Sequence, residues 1–199
     1  MNTKLWRSLS LLFTPFLLGG CAYFQEEPLS WNISVAVPEH YDAWVEPLQL
    51  EATGTRTWRT PIGYKSCCWK EPWFSSGANR TPPPNYVLVR WFAFAERKYY
   101  GRLIEMPPDL EGRMRHTTRV QLGDGRVIYH PQNSLIIGLA PGGQIVIWLM
   151  NRAQNAEEIM RVQAVELAAN DADYEVWLTN YEAEHGEYLK QHGLQLDRW

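Results

Sequence analysis

Residues 86–95 have the sequence YVLVRWFAFA, which is apolar on both faces of an extended chain except at Arg90. A segment that is apolar on both faces is typical of a strand in the interior of a sheet. Residues 97–106 follow at once and are predicted to form the second strand of a hairpin. This pair of strands is the expected centre of the fold.

Other strands are predicted on both sides of this pair. Residues 29–37 alternate apolar and polar side chains, as in a half-buried strand, and residues 44–52 contain Pro47, which indicates an edge strand or a bulge. Glycine-containing turns at 123–125 and 140–143 indicate two further hairpins. The strands predicted in the second half are 118–122, 126–129, 134–139, 144–150 and 158–165, with a short helical turn at 107–115.

The apolar period changes to that of a helix over residues 171–192. Asp171 or Asp173 is expected to cap its start, and Gly193 to end it. Its apolar stripe should pack on the sheet; it consists of Tyr174, Trp177, Leu178, Tyr181, His185, Tyr188 and Leu189. The predicted fold is therefore mainly β (α+β), an antiparallel sheet or sandwich of about eight strands with a C-terminal amphipathic helix packed on it.

The N-terminus has the pattern of a bacterial lipoprotein signal. Lys4 and Arg7 precede the apolar residues 9–18, and small residues lead up to Cys21. The apolar run is shorter than the ~20 residues of a membrane-spanning helix. We predict a signal peptide at 1–20, a lipidated tether at 21–28 and a single globular domain at 29–199. The alternatives are an ordinary signal peptide and a buried N-terminal helix.

A lipid chain on Cys21 would anchor the protein to a membrane without spanning it. Ala22 follows the cysteine, and by the sorting rule for such lipoproteins a residue other than Asp favours the outer membrane over the inner one. The expected location is therefore the periplasmic face of the outer membrane, with the inner membrane as the less favoured site.

Composition argues against several classes of function. The net charge is −3, and loss of the two positive charges in residues 1–20 leaves −5, so nucleic acid is not an expected partner. The five histidines are scattered, so we predict no metal site and no cofactor, and His185 is expected to be a packed core residue. No catalytic motif is present, and we predict that the protein is not an enzyme.

Cys67 and Cys68 are adjacent, which restricts their chemistry. In an oxidising compartment they could form a strained disulfide ring, remain free thiols or bond to another molecule. The ring and buried thiols are the two states that we favour.

Residues 54–85 are predicted to be a long irregular loop because prolines and glycines recur along it. Its aromatic side chains either pack inward as part of the core or bind a partner. The candidates for partner binding are Trp69, Trp73, Phe74 and Arg80.

Residues 89–100 (VRWFAFAERKYY) and 136–148 (IIGLAPGGQIVIW) resemble the core motifs of a proteobacterial lipoprotein family of unknown function. The resemblance covers about residues 29–165 and includes the Cys67-Cys68 pair. Ala93 departs from it, because a small hydroxyl residue is expected at that position. Some lipoproteins of this kind are similar to type VI secretion immunity lipoproteins that neutralise lipase effectors. The resemblance therefore implies a periplasmic protein that inhibits a toxin by blocking its active site.

The leading hypothesis is a membrane-anchored immunity protein that inhibits a type VI lipase-type effector by protein binding. Loops 54–85, 107–117 or 140–143 would cover the active site of the secreted toxin. The alternative is a structural or assembly lipoprotein that binds another cell-surface component, and an enzyme with an unrecognised site is the third possibility. Glu96 is expected to lie on a charged hairpin rim, unless its carboxylate makes a specific contact.

Overall fold

The computed structural model describes residues 27–71, 82–168 and 171–199. The predicted mainly β fold with a C-terminal helix is confirmed, with more strands than expected. Within these ranges the chain forms thirteen strands and two α-helices. They are β1 (Asn32–Ala36), β2 (Ala43–Val45), β3 (Leu48–Ala52), β4 (Arg56–Thr60), β5 (Gly63–Lys65), β6 (Tyr86–Ala93), β7 (Lys98–Glu105), α1 (Leu110–Arg115), β8 (Thr117–Gln121), β9 (Val127–Pro131), β10 (Ser134–Ala140), β11 (Gln144–Met150), β12 (Glu157–Gln163), β13 (Val165–Leu167) and α2 (Glu175–His192).

One sheet has four strands in the order β1-β10-β11-β12. The β10–β11 hairpin was predicted, and it is confirmed with a tight turn at Pro141–Gly143. Strand β1 pairs with β10 in parallel, which is an exception to the antiparallel pairing that the sequence predicted. Parallel pairing needs a long crossover connection, and here the connection contains most of the second sheet.

The alternating pattern of β1 does not make it half-buried. Ile33 and Val35 face the core, but Ser34 and Ala36 on the opposite face are also buried. The opposite face is covered because Ala36 belongs to a second apolar cluster against which Trp69 packs. The sequence pattern showed which residues share a face but not that another segment covers the polar face.

The second sheet has seven strands, with the path β13-β7-β6-β2-β5 and with β3 joining β6 to β4. The predicted β6–β7 hairpin is confirmed and pairs eight residues of each strand. The single strand predicted over residues 44–52 is instead two strands, β2 and β3, separated at Glu46 and Pro47. Both pair with β6, so Pro47 marks a break beside the centre of the sheet.

The prediction of an irregular loop over residues 54–85 is wrong where β4 and β5 form. Strand β4 pairs with β3, and β5 pairs with β2. Gly54 and Gly63 have φ values of 75° and 78°, in the left-handed region that suits glycine at a reversal of the chain. Pairing with distant strands therefore supplies regular structure that the local sequence does not indicate.

The two sheets share one apolar core. Buried side chains from both sheets form a single cluster that includes Trp31, Val35, Trp91, Leu135 and Ile147. Trp31 and Trp91 are each only 1% exposed. Large aromatic side chains therefore contribute much of the apolar area that the fold buries.

Helix α2 packs on the outer face of the seven-stranded sheet, as predicted. Leu178 and Tyr181 are buried there against Phe92 and Phe94. The helix starts later than expected: a 3-10 turn covers Asp171–Tyr174, and the N-cap residue Tyr174 makes no side-chain capping bond. Gly193 ends the helix as predicted, and its N–H donates to the Leu189 carbonyl at 2.8 Å.

Three more predictions concern the second half of the chain. The strand predicted over residues 158–165 is divided into β12 and β13, which lie in different sheets. The predicted hairpin at residues 118–129 is confirmed as β8 and β9, which form a two-stranded sheet of their own. The helical turn predicted over residues 107–115 is α1.

Gly138 in β10 lies where two indole rings meet. A Cβ atom at Gly138 would be 2.5 Å from the Trp148 ring and 2.8 Å from the Trp69 ring. The two rings pack edge to face, with centroids 4.8 Å apart. The outer face of the four-stranded sheet is therefore closed by Trp148 and Trp69 only because residue 138 has no side chain.

Gly138→Ala should destabilise the protein by about 1–3 kcal/mol, the usual cost of overpacking a filled core. Urea unfolding, measured as the midpoint and slope of the transition, checks this. Gly186→Ala is the matched control, since a methyl group there meets no heavy atom within 4 Å. That control should instead raise stability by ~0.5–1 kcal/mol, because glycine weakens a helix interior. Equal stability of the two variants would contradict this account of Gly138.

Candidate functional site

Cys67 and Cys68 are joined by a disulfide in the structure, with an S–S distance of 2.02 Å. The peptide bond between them is cis. Of the states considered from the sequence, the structure has the vicinal ring. Both residues are half-buried, in the segment that leads from β5 to Trp69.

Trp69, a predicted partner-binding residue, packs against other parts of the protein. Its ring lies 4.8 Å from Trp148 and 5.8 Å from the C-terminal Trp199. The next residue, Lys70, places its Nζ 5.5 Å from the centroid of the Trp148 ring. Trp69 thus helps to cover the four-stranded sheet, and its contact with a partner stays a prediction.

The other predicted functional residues lie outside the described ranges. These are the proposed lipidation site Cys21 and the partner-binding candidates Trp73, Phe74 and Arg80. Their roles stay predictions from the sequence.

The turn at Pro141–Gly143, one of the predicted toxin-covering loops, is held inside the protein. Its Gly142 N–H donates to both carboxylate oxygens of Glu96, at 3.0 and 3.1 Å. The Tyr100 hydroxyl donates to the same carboxylate at 2.9 Å, and the Gln163 amide donates to the Gly142 carbonyl at 2.6 Å. Pro141 and Gly143 are buried. The polar groups of this turn are therefore engaged within the chain.

Glu96 makes a specific contact rather than lying on a solvated rim. Burial raises the pKa of the Glu96 carboxyl, while the hydrogen bonds from Tyr100 and Gly142 act in the opposite direction. The sequence showed Glu96 at the end of a strand, but its partner Gly142 is 46 residues away. A local sequence pattern therefore could not predict the contact between Glu96 and Gly142.

A second buried polar centre links α2 to the seven-stranded sheet. The Asp42 side chain is fully buried, and the Tyr64 hydroxyl donates to its Oδ2. His185 Nε2 lies 3.4 Å from the same oxygen, and His185 Nδ1 lies 3.3 Å from His40 Nδ1. Tyr181 on the same helix donates to the His40 carbonyl at 2.7 Å. These contacts connect the β1–β2 loop, β5 and α2.

The electrostatics of this centre follow from burial. Burial raises the pKa of the Asp42 carboxyl, and the Tyr64 hydrogen bond and the nearby His185 act against that rise. Burial and then the Asp42 carboxylate raise the pKa of the Tyr64 phenol. His185 was predicted to be a core residue; its side chain is 12% exposed, and its ring makes polar contacts with Asp42 and His40. The arrangement positions α2 on the sheet.

Strands β8 and β9 form a ribbon whose outer face is exposed. Asn151 Nδ2 donates to Thr118 Oγ1 at 2.8 Å and to the His130 carbonyl at 2.7 Å, and Asn155 Nδ2 donates to the Arg119 carbonyl at 3.0 Å. Val120 is buried on the inner face of the ribbon. The ribbon is therefore held to the domain at one face, while the side chains of Arg119, Val127 and Tyr129 on the other are exposed.

Tyr129 is the most exposed aromatic side chain on this ribbon, at 70%, and Val127 is 42% exposed. Because alternate residues of a strand share a face, these two lie on the same side as Arg119, which pairs with Tyr129 in the register. The sequence predicted the hairpin but not the exposure of its apolar residues. The outer face of this ribbon thus places an aliphatic side chain beside tyrosine and arginine, two residue types that are enriched in protein interfaces.

In residues 27–71, 82–168 and 171–199, no three His, Cys, Asp or Glu side chains are arranged to hold a metal ion. None of the helices in these same ranges is long and apolar enough to cross a membrane.

A family model described as a protein of unknown function (DUF2931) matches residues 21–197. The matched region begins at Cys21 and includes the two sheets, the ribbon and α2. Comparison with curated proteins gives no match.

The raised pKa of Glu96 predicts a pH-dependent effect of Glu96→Gln. Between the ordinary glutamate pKa and the higher folded value, the unfolded chain loses the proton first, so wild-type stability falls as the pH rises through that window and stays lower above it. Glutamine keeps an acceptor for Tyr100 and Gly142 but does not ionise. The stability of the variant relative to wild type should therefore increase from pH 4 to pH 7 in urea unfolding. A difference that is constant, or that decreases with pH, would contradict the assigned burial of Glu96.

Proposed function

The chain belongs to the DUF2931 family of proteins of unknown function, and we propose that it is a lipid-anchored envelope protein that acts by binding another protein. The observation that carries this proposal is the exposed outer face of the β8–β9 ribbon. Tyr129, Val127 and Arg119 lie on that face. Tyrosine and arginine are the residue types that most often contribute large binding energies at protein interfaces.

The contrast between the ribbon and the buried polar centres supports binding rather than catalysis. Asp42 and Glu96 have carboxyls with raised pKa values, a property that often marks catalytic groups. Here both carboxylates accept hydrogen bonds from their own chain, and each connects separate structural elements. We therefore propose that these carboxylates stabilise the fold and that the protein is not an enzyme.

The proposed anchor is Cys21, preceded by the signal peptide at residues 1–20. Glu27, six residues after Cys21, is tied to the domain, because Arg115 Nη1 donates to the Glu27 carbonyl at 3.1 Å. Six residues of extended chain reach about 20 Å, so an acylated Cys21 would keep the domain close to the membrane surface. The proposed location is the periplasmic face of the outer membrane.

The proposed partner is a lipase-type effector delivered by a type VI secretion system. The support is the resemblance of residues 89–100 and 136–148 to a lipoprotein family of unknown function, since some lipoproteins of this kind are similar to immunity proteins. The anchor adds to it, because a lipase toxin acts at the membrane where this domain would be held. Covering an active site requires a well-packed interface and no chemistry by the inhibitor.

An assembly role in the envelope is the second candidate. It is favoured by exposed apolar side chains on neighbouring strands at one edge of the seven-stranded sheet. Leu103 is 60% exposed, Val165 is 58% exposed and Leu167 is 38% exposed. A permanent envelope partner that packs on this edge would cover them.

Cys21→Ser tests the anchor. The variant should lose lipid modification and membrane association, because serine cannot form the thioether that carries the acyl chains. Labelled palmitate incorporation and membrane fractionation measure this, with Cys67→Ser as the control that keeps Cys21. Palmitate incorporation that persists in Cys21→Ser would contradict the assignment of Cys21 as the lipidated residue.

Tyr129→Ala combined with Arg119→Ala tests the binding surface. The candidate partner for this assay is a secreted lipase encoded by a gene next to that of this protein. Loss of hot-spot residues should weaken binding to that lipase on the order of 30-fold and restore its activity, since a hot spot contributes ~2 kcal/mol or more. Val176→Ala is the matched control, because Val176 is 73% exposed on α2. Trp73→Ala tests the loop residues predicted from the sequence in the same assay. Full inhibition by the ribbon variant would show that the ribbon is not the interface, whereas no binding by wild type would reject the partner.

A further inference from the structure

A depression of about 300 Å³ lies on the outer face of the four-stranded sheet, at the end where β1 and β10 begin. Trp69 covers the neighbouring part of the same face. Residues of β1, β10 and β11 form its floor, and residues beyond Trp69 and β11 form its rim.

The floor of the depression is polar at one end. Asn32 and Ser134 are paired across β1 and β10, and Ser34 pairs with Ile136. Because alternate residues share a face, the side chains of Asn32, Ser34 and Ser134 lie on the same side of the sheet. The same side of the sheet carries Ile136 and Met150 of the buried apolar cluster. The hydroxyl and amide groups therefore lie beside an apolar part of this face.

Two cationic side chains stand on the rim, Lys70 and Arg152. Among the described residues, neither has a carboxylate oxygen within the 4.0 Å of an ion pair, whereas seven other lysines and arginines do. Those seven are Arg90, Arg97, Lys98, Arg113, Arg115, Arg126 and Arg161. Lys70 is further restrained because its Nζ lies over the Trp148 ring. In an acidic protein, this places two available positive charges at one polar depression.

We propose that this depression binds a phosphate group, with Lys70 and Arg152 supplying charge and Asn32 and Ser134 supplying hydrogen-bond donors. A phosphate presents several strong acceptor oxygens, which suits ammonium, guanidinium, hydroxyl and amide donors together. The group could belong to a phospholipid headgroup or to a soluble phosphate ester. The proposal depends neither on the role proposed for the ribbon nor on any toxin, although Asn151 both lines the depression and holds the ribbon.

Glu71 also lines the depression, and its carboxylate opposes the binding of an anion. Substitutions at the two kinds of charge should therefore change phosphate binding in opposite directions. Arg152→Ala should weaken phosphate binding, and Glu71→Gln should strengthen it. A surface that merely attracts salt would respond in the same way to changes at other exposed arginines.

The experiment follows acetylation of Lys70 by an amine-reactive reagent, read by mass spectrometry on the purified full chain. Inorganic phosphate should slow the acetylation of Lys70 several-fold relative to sodium chloride of equal ionic strength, and Lys190, exposed on α2, is the internal control. The protection should disappear in Arg152→Ala, increase in Glu71→Gln and persist in Arg102→Ala, a matched exposed arginine.

Vesicles of two lipid compositions distinguish a phospholipid headgroup from a soluble phosphate ester as the bound group. The protein is placed on vesicles of phosphatidylglycerol or of a digalactosyl lipid that contains no phosphate. Protection on phosphatidylglycerol alone assigns a headgroup, and protection only by dissolved phosphate assigns a soluble ester. Equal protection by phosphate and chloride, or loss of protection in Arg102→Ala, would overturn the proposal.

Discussion

The close packing of Trp148 and Trp69 over Gly138 is the constraint on which the outer side of the four-stranded sheet depends. The two rings meet where residue 138 has no side chain. This contact brings the segment after Cys67-Cys68 onto the sheet, and it explains why β1 is buried on both faces. It also sets the limit of the covered area, beyond which the depression beside Asn32 remains open.

The same organisation separates buried polar groups from exposed apolar ones. Glu96 holds the turn after β10, and Asp42 with His185 holds α2 on the sheet, so the carboxyls with raised pKa values act within the fold. The β8–β9 ribbon, by contrast, presents Tyr129 to solvent while two asparagines hold its inner face to the domain. A domain with this distribution suits recognition of a partner at its surface, which is the proposed role.

Much of the fold could be predicted from the sequence, because the period of apolar residues is a local property. The β6–β7 hairpin, the β10–β11 hairpin and α2 were found in this way. Strands β4 and β5 were missed since their regular structure comes from pairing with β3 and β2, and the parallel β1–β10 pair was missed because its partners are about a hundred residues apart. The contact of Glu96 with Gly142 and the exposure of Tyr129 depend on tertiary placement, which no local pattern records.

In the proposed role, the domain binds its partner through the outer face of its β8–β9 ribbon. Site-specific photocrosslinking in living cells tests this role, with a photoreactive residue placed at position 129 or, for comparison, at the exposed position 176 on α2. We expect a defined adduct with one secreted or envelope protein from position 129 and none from position 176. Adducts from position 176 alone, or the same adducts from both positions, would show that the ribbon is not the binding surface.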